Sequence, residues 1–478
     1  MGSLARASLL PRLNLGDNCS NVFIDSHAHI DFHEFDADRD EMLNRARVAG
    51  VDCIVNPGSD LDSCHRARAL AERHANVFYA LGLHPHYAKD VGPAQWEEFV
   101  RLVRDSDPVA IGETGLDYHY DFSPRDVQLD LFRKEVRLTL ELDLPIIIHC
   151  REAHDDCLKV LREEAPGRSW RGVMHCFTGS ADDARAVLDL GFLLAFAGML
   201  TFPNAAGLRQ AAATVPPGRL LLETDSPYLA PHPMRGNRNE PAFVLHTARV
   251  LAELQKLTVD DIARITSANA RRLFGIGEDG GKRTIVYKIR NSLYVNLTNR
   301  CSNRCVFCSR ETDPTVKGHW LRLEQEPSAD EVIGAIGDPT RYSEVVFCGF
   351  GEPTLRLDVI KQVAAFVKSS GGTVRINTNG HAGLIHGRPV AAELAGLVDT
   401  VSVSLNSADR GQYVEICRPQ QGQQAYDAMI EFIKDARKHL PTVIVTALDY
   451  PGVDLDACKR LAAELGVEYR QRKYQEVG

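Results

Sequence analysis

From Phe23 onward, short apolar runs alternate with longer stretches that mix apolar and charged positions at helical spacing. The runs are Val22–Ser26, Cys53–Pro57, Val77–Gly82, Val109–Glu113, Ile146–His149, Val173–His175, Leu193–Ala197 and Leu220–Glu223. Each is short and largely β-branched or aliphatic, as strands of a parallel sheet covered on both faces are. Helical stretches such as Asp126–Leu142 lie between them. Eight such units predict an α/β fold, a closed (β/α)8 TIM barrel. Two further helices, Phe243–Gln255 and Val259–Phe274, finish it. The glycine-rich Gly275–Gly281 and the charged Lys282-Arg283 then break the pattern. A second series follows at Leu293–Leu297, Val345–Phe347, Val374–Asn377, Val401–Ser404, Val443–Ala447 and Glu468–Arg470. Six units are too few for the usual eight-stranded closure, so a partial (β/α)6 barrel is expected. The chain thus divides into a leader (1–21), a first domain (22–276), a linker (277–283) and a second domain (284–478).

Length and charge narrow the choices. A chain of 478 residues is long enough for two cores. The net charge of -9, with no long basic run, argues against a salt-sensitive hold on long duplex nucleic acid. Short strand ends and small phosphate substrates stay open. The twelve cysteines are scattered or grouped like ligands, unlike the disulfide frame of a small secreted domain. No run is long enough to span a membrane. The leader carries Arg6 and Arg12 around Leu9-Leu10, too little apolar length for a signal peptide. A flexible extension on a cytoplasmic protein without a membrane partner is expected.

The candidate chemistry of the first domain falls where barrel enzymes place it, at the carboxyl ends of strands. His27 and His29 follow the first strand, two residues apart and so on one side of extended chain. Glu113 ends the fourth run, His149 the fifth and His175 the sixth, and Asp225 lies just past the eighth. Imidazoles and carboxylates together suit a pair of divalent ions such as Zn²⁺, Mn²⁺ or Mg²⁺. Such a pair activates water near neutral pH and stabilises charge on a departing oxygen. His84, His86, Arg151 and Arg238 are candidates for binding a phosphate, against an equal alternative of loop bracing.

The motifs Asp25-Ser-His-Ala-His29, Gly82-Leu-His-Pro-His86, Ile111-Gly-Glu-Thr-Gly-Leu-Asp117, Ile147-Ile-His-Cys-Arg151, His175-Cys-Phe-Thr-Gly179 and Glu223-Thr-Asp-Ser-Pro227 resemble the TatD family of metal-dependent deoxyribonucleases. So do Arg235-Gly-Asn-Arg-Asn-Glu-Pro241 and Asn269-Ala-Arg-Arg-Leu-Phe274. The resemblance implies 3′ to 5′ removal of nucleotides from single-stranded ends. It also implies that His27, His29 and Asp225 hold one ion, that His149 and His175 hold the other, and that Glu113 bridges. Asp225 and Glu113 are the implied catalytic residues, with Asp225 orienting or deprotonating the water.

The second domain opens with Cys301-Ser-Asn-Arg-Cys305-Val-Phe-Cys308. Three thiolates can hold three irons of a cubane cluster and leave the fourth open, where ordinary carriers use four cysteines. Structural zinc is the alternative, with Cys348 as a fourth ligand, but no second cysteine pair follows and His319 lies beyond a charged loop. The spacing, Phe307 before the last cysteine, and the position after the first strand resemble the radical S-adenosylmethionine (SAM) superfamily. Gly349-Phe-Gly-Glu-Pro353 resembles its glycine-glycine-glutamate-proline loop, with Phe350 in place of a glycine. The resemblance implies a [4Fe–4S] cluster, SAM as cofactor, a 5′-deoxyadenosyl radical, and an electron donor such as flavodoxin or ferredoxin. Phe307, Gly349, Gly351, Glu352, Asn377, Asn379, Ser404 and Asn406 are then the SAM-binding candidates. Cys348, Cys417 and Cys458 are too dispersed for an auxiliary cluster.

The sequence therefore predicts a bifunctional enzyme, a two-metal phosphodiester hydrolase joined to a radical SAM enzyme. Single-stranded DNA or RNA ends, or nucleotides, are the expected substrates. One alternative is a small phosphoester or amide hydrolase coupled to radical modification of a metabolite. Another makes one half a docking module.

Overall fold

The computed structural model describes residues 22–120, 122–276, 284–308, 310 and 315–474. The expected leader and the linker lie outside these residues. All eight expected strands of the first half are present: β1 (Phe23–Asp25), β2 (Val51–Pro57), β3 (Val77–Ala80), β4 (Ile111–Asp117), β5 (Ile146–Arg151), β6 (Gly172–Met174), β7 (Leu193–Phe196) and β8 (Leu220–Leu222). All paired neighbours run parallel. The ladder is divided, with β1-β2-β3 in one sheet and β4 through β8 in another. An isolated Leu81–Ile111 bridge spans one seam. At the other, the Ser26 N–H donates to the Leu222 carbonyl at 3.0 Å and the Asp225 N–H to the His27 carbonyl at 2.9 Å.

The strands nonetheless share an interior. Ile24, Cys53, Val55, Ala80, Ile147, Val173, Ala195 and Leu221, from seven of the eight strands, meet in one buried apolar cluster. Leu273 and Phe274, at the end of the helix Val259–Phe274, join it. The alternate residues face outward beneath the helices, as period-two side-chain direction requires. Small side chains inside leave the polar residues at the carboxyl ends of the strands as the mouth.

Strand β4 is longer than expected. It continues through Glu113 to Asp117, with an irregular register between Ile111 and Thr114. Gly115 reads as a strand breaker, but its φ of +141° and a hypothetical Cβ 2.0 Å from the His149 carbonyl oxygen show a close backbone approach.

The second half contains β9 (Val286–Ile289), β10 (Ser292–Val295), β11 (Thr315–Val316), β12 (His319–Trp320), β13 (Glu344–Phe347), β14 (Val374–Thr378), β15 (Thr400–Ser404), β16 (Thr442–Leu448) and β17 (Glu468–Arg472). The main sheet runs β17-β16-β15-β14-β13-β10-β9. Its six parallel strands are those expected. The seventh, β9, pairs antiparallel to β10 through the turn at Arg290-Asn291, which the sequence reading omitted. β11 and β12 form a separate small hairpin.

The two halves touch. Arg264, on the helix Val259–Phe274, donates from Nε to the Lys317 carbonyl at 2.7 Å. The Arg290 N–H donates to Asp261 Oδ2 at 3.3 Å. Among the described residues no helix is long and apolar enough to cross a membrane.

Candidate active sites

Six side chains from five strand ends converge at the mouth of the first half. His27 Nε2 and His29 Nε2 face each other at 3.3 Å. Glu113 Oε2 lies 3.2 and 3.3 Å from them, and Asp225 Oδ1 lies 3.9 and 3.6 Å away. The other Glu113 oxygen, Oε1, faces His149 Nδ1 at 2.8 Å and His175 Nε2 at 2.7 Å. Glu113 thus stands between two sets of donors, each able to enclose one cation. Lone pairs of two imidazoles and two carboxylates aimed at one point repel unless positive charge sits among them. The donor set fits a pair of divalent ions.

The electrostatics are steep because the cluster is buried. Burial raises Glu113, but His175, His84 and His27 outweigh it and hold its carboxyl well below the ordinary range. Burial pushes Asp225 up to about 6 against the pull of His175 and His29. Asp225 also has φ +55°, a left-handed conformation uncommon outside glycine, fixed by its N–H bond to His27.

Two carboxylates beyond the expected set brace it. Asp117 Oδ2 lies 3.0 Å from His149 Nε2 and 2.8 Å from His86 Nε2. Glu223, fully buried, lies 3.6 Å from His175 Nδ1 and accepts from the Cys176 N–H at 2.5 Å. Both stood in the sequence motifs. Alternation from Glu113 through Gly115 to Asp117 would have placed Asp117 on the same side, had β4 not been ended early.

The phosphate candidates divide. His84 Nε2 lies 3.3 Å from Glu113, and burial pulls its pKa down to about 3. Arg151 stacks over the Tyr120 ring at 4.8 Å, at the mouth. Arg238 is otherwise engaged: it donates to both Asp38 oxygens at 2.7 and 2.8 Å, and its guanidinium lies over Phe35. That is a brace between loops, so the expectation of a phosphate ligand there is not supported.

An aromatic rim went unread in the sequence. Tyr120 and Phe122 stack at 5.2 Å and both meet His86 edge-on. Across the cluster Phe32 stacks on His29 at 4.7 Å, with Tyr228 against it. Of the five exposed aromatics among the described residues, Tyr87, Tyr120, Phe122 and Tyr228 adjoin these site residues. Solvent-facing rings gathered at one mouth are unusual and mark a binding surface.

In the second half, Cys301, Cys305 and Cys308 lie in the loop after β10. Burial lifts the Cys301 thiol to about 12, so a cation must replace its proton before it can act as a thiolate ligand. A Cβ on Gly349 would stand 2.1 Å from Asn296 Oδ1, and one on Gly351 would stand 2.3 Å from the Arg300 carbonyl oxygen. The loop after β13 therefore presses its bare backbone against the start of the cysteine loop.

Glu352 accepts from the Thr354 N–H, the Thr378 hydroxyl and the Asn379 N–H, so its carboxylate is engaged by the chain itself. Asn379 Nδ2 donates to Ser302 at 2.8 Å and approaches Cys301 Sγ at 3.9 Å. Asn377 accepts from Arg375, and Asn406 donates to Cys417 Sγ at 3.5 Å. Phe307 packs on Tyr450, and Ser404 ends β15 half-buried. The thiol beside the cluster cysteines is Cys417, which hydrogen-bonds Cys305. Cys348, weighed as a fourth zinc ligand, instead has its thiol hydrogen-bonded to Asn377.

Comparison with known proteins bears on both halves. The family model described as TatD related DNase matches residues 24–275, and that of the radical SAM superfamily matches residues 295–465. The Bacillus subtilis protein described as uncharacterized metal-dependent hydrolase YabD is 42% identical over 255 residues, covering 53% of this chain and 100% of that one. A Klebsiella pneumoniae relative, 3'-5' ssDNA/RNA exonuclease TatD, is 36% identical over 255 residues, covering 52% of this chain and 95% of its own. The crystal structure of YJJV, a TatD homolog from Escherichia coli, superposes with a TM-score of 0.52 at 32% identity, covering 54% of this chain and all of that one.

Proposed function

Since the chain belongs to the TatD related DNases through residues 24–275 and continues into a radical SAM domain, we propose that it is a bifunctional enzyme whose first half trims single-stranded nucleic acid from the 3′ end. The Klebsiella relative is named for that activity. In this reading His27, His29 and Asp225 hold one divalent ion, His149 and His175 the other, and Glu113 bridges them. Zn²⁺, Mn²⁺ and Mg²⁺ all suit this donor set, and bound ions supply an activated water and neutralise charge on the phosphate. Asp225, whose Oδ1 faces His27 and His29 at the donor cluster, accepts the proton of the attacking water. Asp117 and Glu223 hold the imidazoles of His149 and His175 in orientation. Arg151 sits where a phosphate oxygen enters.

The observation that carries the nucleic-acid reading over a small ester or amide is the aromatic rim. Exposed rings on both sides of the donors supply flat faces for bases flanking the scissile phosphate, and stacking is tolerant of sequence. In the second half, Cys301, Cys305 and Cys308 would hold a [4Fe–4S] cluster, which with SAM and a protein reductant would supply radical chemistry. Gly349, Gly351, Asn379 and Ser404 are the SAM-contact candidates in this reading, and Glu352 stiffens its loop through Thr354, Thr378 and Asn379.

The test uses full-length protein on 5′-labelled single-stranded oligonucleotides and on bis(4-nitrophenyl) phosphate. Stepwise shortening from the 3′ end is expected, with Asp225→Asn slower by about 10²-fold. Hydrolysis of the small ester with oligonucleotides left intact would overturn the nuclease reading.

A further inference from the structure

A cavity of about 680 Å³ opens beside Cys301. That is within the range of about 300–1,000 Å³ for small-molecule sites. Its lining includes Arg300, Arg304, Arg310 and Arg322, together with Gln420 and Gln421, and no acidic residue among the described residues. Four guanidiniums in one depression run against the trend of a chain whose net charge is -9. Arg300 is partly neutralised by Glu326, to which it donates at 2.7 and 3.0 Å. Arg304 and Arg322 are exposed and have no carboxylate partner among the described residues. Arg304 and Arg322, without a carboxylate of their own among the described residues, add positive charge to the depression, and an anion entering it is stabilised. Gln421 adds a buried Oε1 with no hydrogen-bond partner among the described residues, an acceptor suited to a ligand N–H or O–H. Phe350, Leu355 and Ile385 supply an apolar wall.

Planar forks of guanidinium match phosphate oxygens, an acceptor completes a polar contact, and an apolar wall covers a ring or sugar. Of the SAM-binding candidates from the sequence, none lines this cavity. We infer that the cavity beside Cys301 binds a phosphate monoester of nucleotide size. This rests on the proposed function in one respect: a nucleoside 5′-monophosphate is what 3′ to 5′ trimming releases, so the ligand class of the second half matches the product class of the first. A depression of this volume suits such a molecule better than the face of a protein, which needs a broader surface.

Equilibrium dialysis of the anaerobically prepared full-length protein with thymidine 5′-monophosphate, inorganic pyrophosphate or thymidine tests this. Wild type should bind the nucleotide and pyrophosphate at a site that thymidine does not fill. Arg304→Gln with Arg322→Gln should weaken that site by at least about tenfold. Oligonucleotide trimming should be unchanged, since both residues are exposed and belong to the second half. Nucleotide binding equal to wild type in the double variant would overturn the inference. So would a double variant that binds nucleotide normally but accepts electrons poorly from an acidic reductant, which would make the arginines a docking face. A change in iron content with nucleotide binding intact would assign them to the cluster. Failure of the nuclease reading appears elsewhere, as uncleaved oligonucleotide with the dialysis result intact.

Discussion

Asp117 reaches two imidazoles at once, His149 and His86, while its other oxygen accepts from the His119 and Tyr120 N–H groups at 2.9 and 3.0 Å. One carboxylate therefore fixes the ring of a proposed metal ligand and the start of the aromatic rim. Its burial is offset by these bonds, which keep it ionised. Asp117→Asn should lower divalent-ion affinity about 10- to 100-fold, read by metal titration, while leaving the fold intact. An unchanged affinity would reduce Asp117 to a loop brace. Arg238 teaches the opposite lesson. From sequence it was an arginine next to a barrel mouth, and its partner Asp38 lies 200 residues earlier. No local pattern reveals a pairing of that range, so the loop-bracing alternative won.

The helix Arg125–Leu142 carries Glu135, fully buried, with its carboxyl accepting from the Leu83 N–H at 2.8 Å and from the Thr114 hydroxyl at 2.5 Å. Burial raises its pKa to about 8 despite these bonds. The folded state then holds a proton that the unfolded chain releases near the ordinary value of 4.5. Linkage makes this contribution complete below about pH 4.5 and lost as pH rises toward 8. Asp25, raised to about 8 by burial, acts in the same sense. Glu135→Gln keeps both bonds without the charge, so thermal stability should fall less steeply than wild type over that window. Coincident slopes would show that Glu135 is ionised in the fold. At this scale the sequence was most readable. Strands buried on both faces announce themselves by short aliphatic runs, such as residues 146–148 in β5 and 443–445 in β16. The exceptions have physical causes. Gly115 mimics a break because its missing Cβ serves a backbone contact, and β9 alternates too briefly to stand out before its partner is known.

Across the whole molecule two cores, one under each set of strands, support two chemistries that share no side chain. Cys305→Ala should therefore abolish cluster binding and SAM cleavage and leave oligonucleotide trimming at its wild-type rate. Loss of both would mean that the halves depend on each other. The convergence of the candidate donors in the first half was legible because metal chemistry restricts residue type and strand ends restrict position. The rim and the arginine cavity were not, because each is assembled from loops distant along the chain.

The contact between the halves has one further consequence. Gly318, at the tip of the β11–β12 hairpin with φ +78°, lies so close to the last barrel helix that a Cβ would stand 2.7 Å from the Arg264 carbonyl oxygen. Any larger residue there acts as a wedge. Gly318→Val should broaden the small-angle scattering profile while both catalytic rates survive on their separate substrates, and an unaltered profile would mean the seam carries no alignment. A methyl group's width at one hairpin tip would thus decide whether the two mouths keep a set bearing on one another or swing like a gate on a loose pin.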